Sequence, residues 1–212
     1  KSNLYIDNPM LLPEYQNKYG QGSFGAAYTD RLNDWGQLSW GAPLDGSQQA
    51  YYNGTDKAYS SQANNVKDFF RQATRKITSL SIDKGSENSS VRFSYTNNSS
   101  NSIVENSDLA SHNFNLRAVT NLSDKLTVDT KATYFTQNVN NRASTTGAQG
   151  LLAYVYNMPR NVAVDDLRDY QMANPGAPED FNVIRYADGN VGNPFWQVYN
   201  DETSVRRSRF LG

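Results

Sequence analysis

In four runs between residues 78 and 135 apolar and polar side chains alternate with a period of two, and this limits what the chain can fold into more than any other feature. Thr78, Leu80 and Ile82 alternate with Ser79, Ser81 and Asp83, and Val91, Phe93 and Tyr95 alternate with Arg92, Ser94 and Thr96. Each run has the spacing of a strand with one apolar face. Residues 84–89 between them are a short polar turn, so the two runs read as a hairpin. A second hairpin follows. Phe114, Leu116 and Ala118 alternate with Asn115, Arg117 and Val119, and Leu126, Val128, Thr130, Ala132 and Tyr134 alternate with Thr127, Asp129, Lys131, Thr133 and Phe135. Only residues 121–125 separate these two runs. Over 204–211, Val205, Arg207 and Arg209 face opposite to Arg206, Ser208 and Phe210, which reads as one further strand.

The connections between these strands are expected to alternate in length. They are tight after Asp83, about a dozen or more residues over 97–112, tight again after Asn121, and very long from 138 to about 203. Short turns at one end and long loops at the other is the layout of an outer-membrane β-barrel, with the short turns periplasmic. The second face supports the same reading. A soluble sandwich would carry Lys and Glu on its outer face, whereas this one carries Ser, Thr, Asn, Asp and Arg, which suits a hydrated lumen. A secreted or surface β-sandwich that binds carbohydrate without transporting it remains the alternative. Five or six strands cannot close a membrane barrel, whose minimum is about eight, so these strands are expected to belong to a larger one.

Composition narrows the classes further. Charged residues make up only 19% of the 212, yet there are 14 Tyr, 9 Phe and 3 Trp, so the chain is polar without being charged and too aromatic for a disordered one. A net charge of −1 gives no electrostatic footprint for nucleic acid. Without cysteine there is no disulfide framework and no thiolate chemistry. The first residues lack the apolar core of a signal peptide, so either a leader has been removed or the sequence begins inside a longer protein. The expected organisation is a loop region over 1–74, two hairpins over 75–138, a long extracellular loop over 139–203 and the next strand over 204–212. Within the loops, Val66, Phe69 and Phe70 at helical spacing mark a helical turn over 65–73. Asp165 or Asp166 is expected to cap a short helix running to Tyr170, ended by Pro175, Gly176 and Pro178.

Four patterns, taken in order, resemble the SusC/RagA family of TonB-dependent transporters. Ser39-Trp40-Gly41-Ala42-Pro43-Leu44-Asp45-Gly46 is similar to the family's SWGP-x-x-DG segment, with the proline one place late, and Tyr15-Gln16-Asn17-Lys18-Tyr19-Gly20 precedes it. Asn65-Val66-Lys67-Asp68-Phe69-Phe70 resembles the N-x-x-x-FF element before the next strand. Met158-Pro159-Arg160-Asn161, followed by Asp165, Asp166, Leu167, Arg168, Asp169 and Tyr170, resembles the MPRN…DL-x-DY loop, and Asn193-Pro194-Phe195-Trp196 the NP[YF]W element. The resemblance covers the chain from Tyr15 to Trp196. It implies an all-β, 22-stranded transmembrane barrel in the outer membrane and TonB-dependent uptake of a bulky nutrient, glycan or peptide. It also implies a SusD-like surface lipoprotein as partner. The plug and the segment that meets the TonB complex are not among these residues. Trp40, Gly41, Asp45, Gly46, Phe69, Phe70, Pro159, Arg160, Asn193, Pro194 and Trp196 are the motif positions, expected to be structural.

No catalytic constellation stands out, so binding and passage without chemistry is the expectation. His112, the single histidine, reads as a polar loop residue, because a metal or catalytic role would need companions the sequence does not supply. Asp165, Asp166 and Asp169 carry the oxygens a structural calcium would need but not the spacing of an EF-hand, and a cofactor is not expected. The loop aromatics Trp35, Tyr51, Tyr52, Tyr59, Tyr154 and Tyr156 are the candidates for contact with substrate or partner. On the strands, Leu80, Ile82, Val91, Phe93, Tyr95, Phe114, Leu116, Val128 and Tyr134 are expected to face lipid. Ser79, Ser81, Arg92, Ser94, Asn115, Arg117, Asp129 and Lys131 are expected to face the lumen. Leu116→Arg should then cost about 2 to 4 kcal/mol near the bilayer midplane, read by denaturant unfolding in lipid vesicles, and Asn115→Ser should cost little. Equal costs at the two positions would contradict the assignment.

Overall fold

A computed structural model describes residues 12–25, 38–141, 150–174, 177–183, 185–187 and 192–212. In chain order the elements are β1 (Gln48–Ala50), β2 (Asp56–Ala58), α1 (Asn65–Asp68), β3 (Thr74–Gly85), β4 (Ser89–Asn101), β5 (Asp108–Ser123), β6 (Leu126–Asn140), α2 (Leu151–Tyr156), a 3-10 turn (Val164–Arg168), β7 (Gln171–Asn174), β8 (Ala177–Val183), α3 (Pro194–Asn200) and β9 (Val205–Leu211). The protein is all-β, with antiparallel sheets and three short helices among the described residues. The chain forms two compact units. Residues 70–153 with 194–212 form a sheet unit, and residues 1–69 with 154–193 form a loop unit.

The sheet unit is a five-stranded meander in the order β3-β4-β5-β6-β9. It is open; the described strands do not close into a barrel. Its registers turn the sequence alternation into two faces. On one, Ile82, Phe93, Leu116 and Ala132 stand opposite one another across β3 to β6, and Leu80, Tyr95, Phe114, Tyr134 and Phe210 form a row across all five strands. On the other, Ser81, Ser94, Asn115 and Thr133 form a row, and Asp83, Arg92, Arg117 and Lys131 another. All nine residues expected on the apolar face share it, and all eight expected on the polar face share the other.

Strand length is where the structure corrects the sequence reading. The expected dozen-residue loop over 97–112 is only the connection 102–107, because β4 runs to Asn101 and β5 begins at Asp108. His112 therefore lies on β5, opposite Asn97 and Thr136, and not in a loop. The physical reason is that β4 ends in Asn and Ser on both faces, and β5 begins Asp108-Leu109-Ala110-Ser111-His112, where apolar and polar residues do not alternate, so the ladder hydrogen bonds form without any periodicity to announce them. Connections still differ between the two ends: residues 86–88 and 124–125 at one, 102–107 and the long segment after Asn140 at the other.

In the loop unit, β1 and β2 form a small hairpin, as do β7 and β8, and the sequence reading foresaw neither. Pro178 falls within β8 and so does not end a helix, while Pro175 and Gly176 lie outside the described residues. The helix expected to follow Asp165 or Asp166 is the 3-10 turn Val164–Arg168, which stops short of Tyr170. It is preceded by Ala163 in extended geometry and has no side-chain cap. The acidic side chains are engaged elsewhere. Asp166 accepts hydrogen bonds from the Tyr51 hydroxyl at 2.8 Å and from Lys57, and Asp165 accepts from Arg168 at 3.2 Å. The helical turn expected over 65–73 is confined to α1, Asn65–Asp68. No described helix is long and apolar enough to cross a bilayer, which has no bearing on strands.

Candidate functional site

The polar face of the sheet is a hydrogen-bonded surface. Thr133 donates to Asn115 Oδ1 at 2.9 Å, and Asn115 Nδ2 donates to Ser94 Oγ at 3.4 Å, so one chain of contacts spans β4, β5 and β6. Ser79 and Thr96 hydroxyls meet at 3.2 Å. Arg117 grips Asp129 through two bonds of 3.0 and 2.7 Å, and Arg92 lies 3.4 Å from Asp83. These exposed pairs add little stability each, but they offset the cost of placing Arg92, Arg117 and Lys131 directly opposite one another.

The apolar face is uncovered. Leu80 is 56% exposed, Leu116 46% and Phe210 71%. Along its aromatic row Tyr95 and Phe114 have ring centroids 4.8 Å apart, and Phe114 and Tyr134 6.2 Å. One row further, Tyr95 Oη and His112 Nδ1 are 2.8 Å apart, so the histidine is paired within the sheet. From there the face turns polar, through Thr78, Asn97, His112, Thr136 and Ser208.

The loop unit is organised around Arg160, which is 2% exposed. Its Nε and Nη2 donate to Asn17 Oδ1 at 3.2 and 3.0 Å, Nη2 also to the Ala63 carbonyl at 2.6 Å, and Nη1 to Asn65 Oδ1. The guanidinium stacks 4.8 Å over the Tyr15 ring. Burial holds its pKa below the usual arginine value, and the Tyr15 hydroxyl partly offsets that. The Arg160 backbone accepts from Gln62 N–H at 2.7 Å and donates to Ser39 Oγ at 3.3 Å. Asn65 completes the node by donating to the carbonyls of Pro159 and Val162 at 2.9 and 3.1 Å. One side chain thus joins all three of the segments carrying Asn17, Asn65 and Pro159.

The remaining motif residues support this node or cap local turns. Gly41 N–H bonds to the Gly20 carbonyl at 3.0 Å, and Gly20 N–H to Ala42 at 3.1 Å. A Cβ at Gly20 would sit 2.5 Å from the Tyr59 ring, so the approach requires glycine there. Asp45 accepts from Ser47 N–H and Oγ at 2.9 and 2.6 Å, bonds that hold its carboxyl below the usual range, and Gly46 follows at φ +80°. Phe69 is buried and Phe70 half-buried. Asn193 Nδ2 donates to the Leu167 carbonyl at 2.9 Å, Pro194 opens α3 where its missing N–H costs nothing, and Trp196 is half-buried. Trp40 is exposed, as are Asp45 and Gly46, and its ring lies 6.5 Å from Tyr19.

The loop aromatics divide. Tyr51, Tyr52 and Tyr59 are buried in the unit's core. Tyr51 Oη accepts from Ala163 N–H at 3.0 Å, and Tyr59 Oη donates to the Gln21 carbonyl at 2.9 Å. Burial raises all three hydroxyl pKa values, that of Tyr59 to about 12. Tyr154 and Tyr156, on α2, are half-buried, and the Tyr154 carbonyl accepts from Tyr186 Oη at 2.7 Å. Trp35 lies outside the described residues. Among the described residues no three His, Asp or Glu side chains converge as metal ligands. Asn17 and Asn161 stand inside the quoted motifs without a role of their own, and Gln21 lies outside them, although Gln21 N–H bonds to Asn161 Oδ1 at 2.6 Å inside the core. Uncharged amides in an Asn-rich chain carry no signal of burial.

No protein-family model matches the sequence, and no curated protein matches it at a significant level. Arg160→Ala should destabilise the loop unit by about 3 to 5 kcal/mol, since it strands buried acceptors on three segments. Arg160→Lys should recover only part of that, because an ammonium lacks the planar fork. Amide hydrogen exchange is the readout: protection should fall together in residues 15–22, 62–66 and 159–164, and unchanged protection would remove Arg160 from this role.

Proposed function

We propose that this chain is a section of an outer-membrane β-barrel of the SusC/RagA type that imports a bulky nutrient, glycan or peptide, by binding and passage without chemistry. The observation that carries the reading is the sheet with one bare apolar face and one hydrogen-bonded polar face. Water tolerates a continuous apolar patch of that kind poorly, whereas hydrocarbon covers it without cost, and the opposite face suits a hydrated lumen. Strands of 12, 13, 16 and 15 residues exceed the 9 to 11 or so that a tilted strand needs to cross a bilayer. β3 and β9 each leave one edge unpaired among the described residues, and in lipid such edges need partners, which favours a larger barrel around this sheet.

The family assignment rests on the ordered motifs, and its support is that Asn17, Asn65 and Arg160, drawn from three of them, meet in one node. By the same resemblance the loop unit faces the cell exterior and meets a SusD-like lipoprotein, and uptake draws on the TonB complex through a plug. The localisation is testable directly. The protein should remain with the outer membrane after an alkaline carbonate wash and should leave it only with detergent. A freely soluble monomer would favour the carbohydrate-binding sandwich.

A further inference from the structure

On the polar face the chemistry changes toward the ends of the strands remote from turns 86–88 and 124–125. There Ser100, Leu109, Val139 and Val205 form one transverse row across β4, β5, β6 and β9. Three of these four are aliphatic, on a face otherwise dominated by hydroxyl, amide and charged groups. A cavity of about 400 Å³ opens over the row, with Gln137, Arg207 and one acidic residue, Asp108, also in its wall; the Asp108 carboxylate accepts from Asn140 Nδ2 at 3.1 Å.

The rim is preformed. Ser102 N–H bonds to the Ser107 carbonyl at 2.9 Å, closing the 102–107 connection, and Arg71 Nε holds the Ser102 carbonyl at 3.0 Å. Asn106, in the left-handed region at φ +53°, donates to the Val198 carbonyl at 3.1 Å and to Glu202 at 2.7 Å, which ties the connection to α3 and the residues after it. A rim braced this way spends little ordering entropy when a ligand enters. Arg207 has no ion-pair partner among the described residues, nor has Arg209, the next residue of β9 on this face.

We propose that this cavity is a peptide subsite, in which the Leu109, Val139 and Val205 row takes an aliphatic side chain and Arg207 holds a carboxylate of the same ligand. Sugar rings are held by stacking on aromatic faces and by dense hydrogen bonding, and among the described residues no aromatic ring lines the cavity. Phe135 stands one step further along β6. An aliphatic row loses nothing by excluding water and gains by covering another aliphatic group. A guanidinium that makes no ion pair among the described residues, Asp108 in the same wall being bonded to Asn140 instead, matches a ligand carboxylate in geometry and sign. The inference rests on the transporter reading of this face and narrows its cargo to acidic, aliphatic peptides.

The test titrates the intact protein in detergent, by calorimetry, with an unlabelled, N-acetylated pentapeptide of alternating leucine and glutamate. It repeats the titration with a neutral version carrying glutamine and an amidated end, and with maltohexaose. The acidic peptide should bind best. Arg207→Ala should weaken it about tenfold, the equivalent of one charge-assisted contact, and should leave the neutral peptide unchanged. Val205→Asn should weaken both peptides. Circular dichroism checks folding, and Arg207→Lys and Val139→Thr, which keep charge or size, replace any variant that misfolds. Absence of peptide binding, binding indifferent to Arg207 and the valines, or preferential binding of maltohexaose would overturn the subsite. In a protein that needs detergent for extraction such a result refutes the subsite alone, whereas extraction without detergent refutes the transporter reading beneath it.

Discussion

Because side chains on a strand alternate with a period of two, slipping any one pairing of the sheet by a single residue would carry Leu116 or Phe93 to the polar face and Asn115 or Ser94 to the apolar one. Register is therefore the constraint on which the two-faced surface depends. Ser86 N–H bonds to the Ser89 carbonyl at 2.7 Å and closes the turn between β3 and β4. At the second turn a bulge between Asn121 and Ser123 absorbs Leu122, and Thr127 donates to Asn121 Oδ1 at 2.8 Å beside it. Across the strands the aromatic row on one face and the Ser94, Asn115 and Thr133 chain on the other penalise the same slip from both sides.

The loop unit solves a different problem. Long segments without periodicity have little local structure to order them, and its core relies on contacts between residues far apart in sequence, such as Gln21 with Asn161 and Asn65 with Pro159. A buried guanidinium is expensive unless its N–H groups are satisfied. Arg160 meets that demand with two asparagine oxygens, a carbonyl and a tyrosine ring, and so converts a desolvation penalty into a requirement that distant segments assemble in one arrangement.

Both faces of the sheet were legible in the sequence wherever one face is apolar, as at Leu80, Phe93, Leu116 and Tyr134. They are not legible at the Asn and Ser end of β4, where polar residues on both faces erase the alternation, or at the start of β5, where the adjacent Leu109 and Ala110 break it and His112 reads as part of a loop. Hairpins as short as β1 with β2 fall below the length at which periodicity has meaning. Of the loop node, Arg160 was marked only by its motif. Asn17 stands in the stretch before the first motif, but neither its amide nor the Ala63 carbonyl announces a contact across the chain. The loop tyrosines singled out for binding include Tyr51, Tyr52 and Tyr59, which the fold buries, because aromatic composition alone does not distinguish a core from a contact surface.

We propose that one face of the sheet meets hydrocarbon and the other meets water. The chain has no cysteine, so single cysteines can be introduced along β4, β5 and β6 without background and spin-labelled in reconstituted membranes. Accessibility to oxygen, which partitions into lipid, should peak at Phe93, Leu116 and Ala132, and accessibility to a water-soluble nickel complex at Ser94, Asn115 and Thr133, with the two profiles out of phase at a period of two. Two flat profiles, or in-phase profiles with both faces open to the nickel complex, would contradict the account.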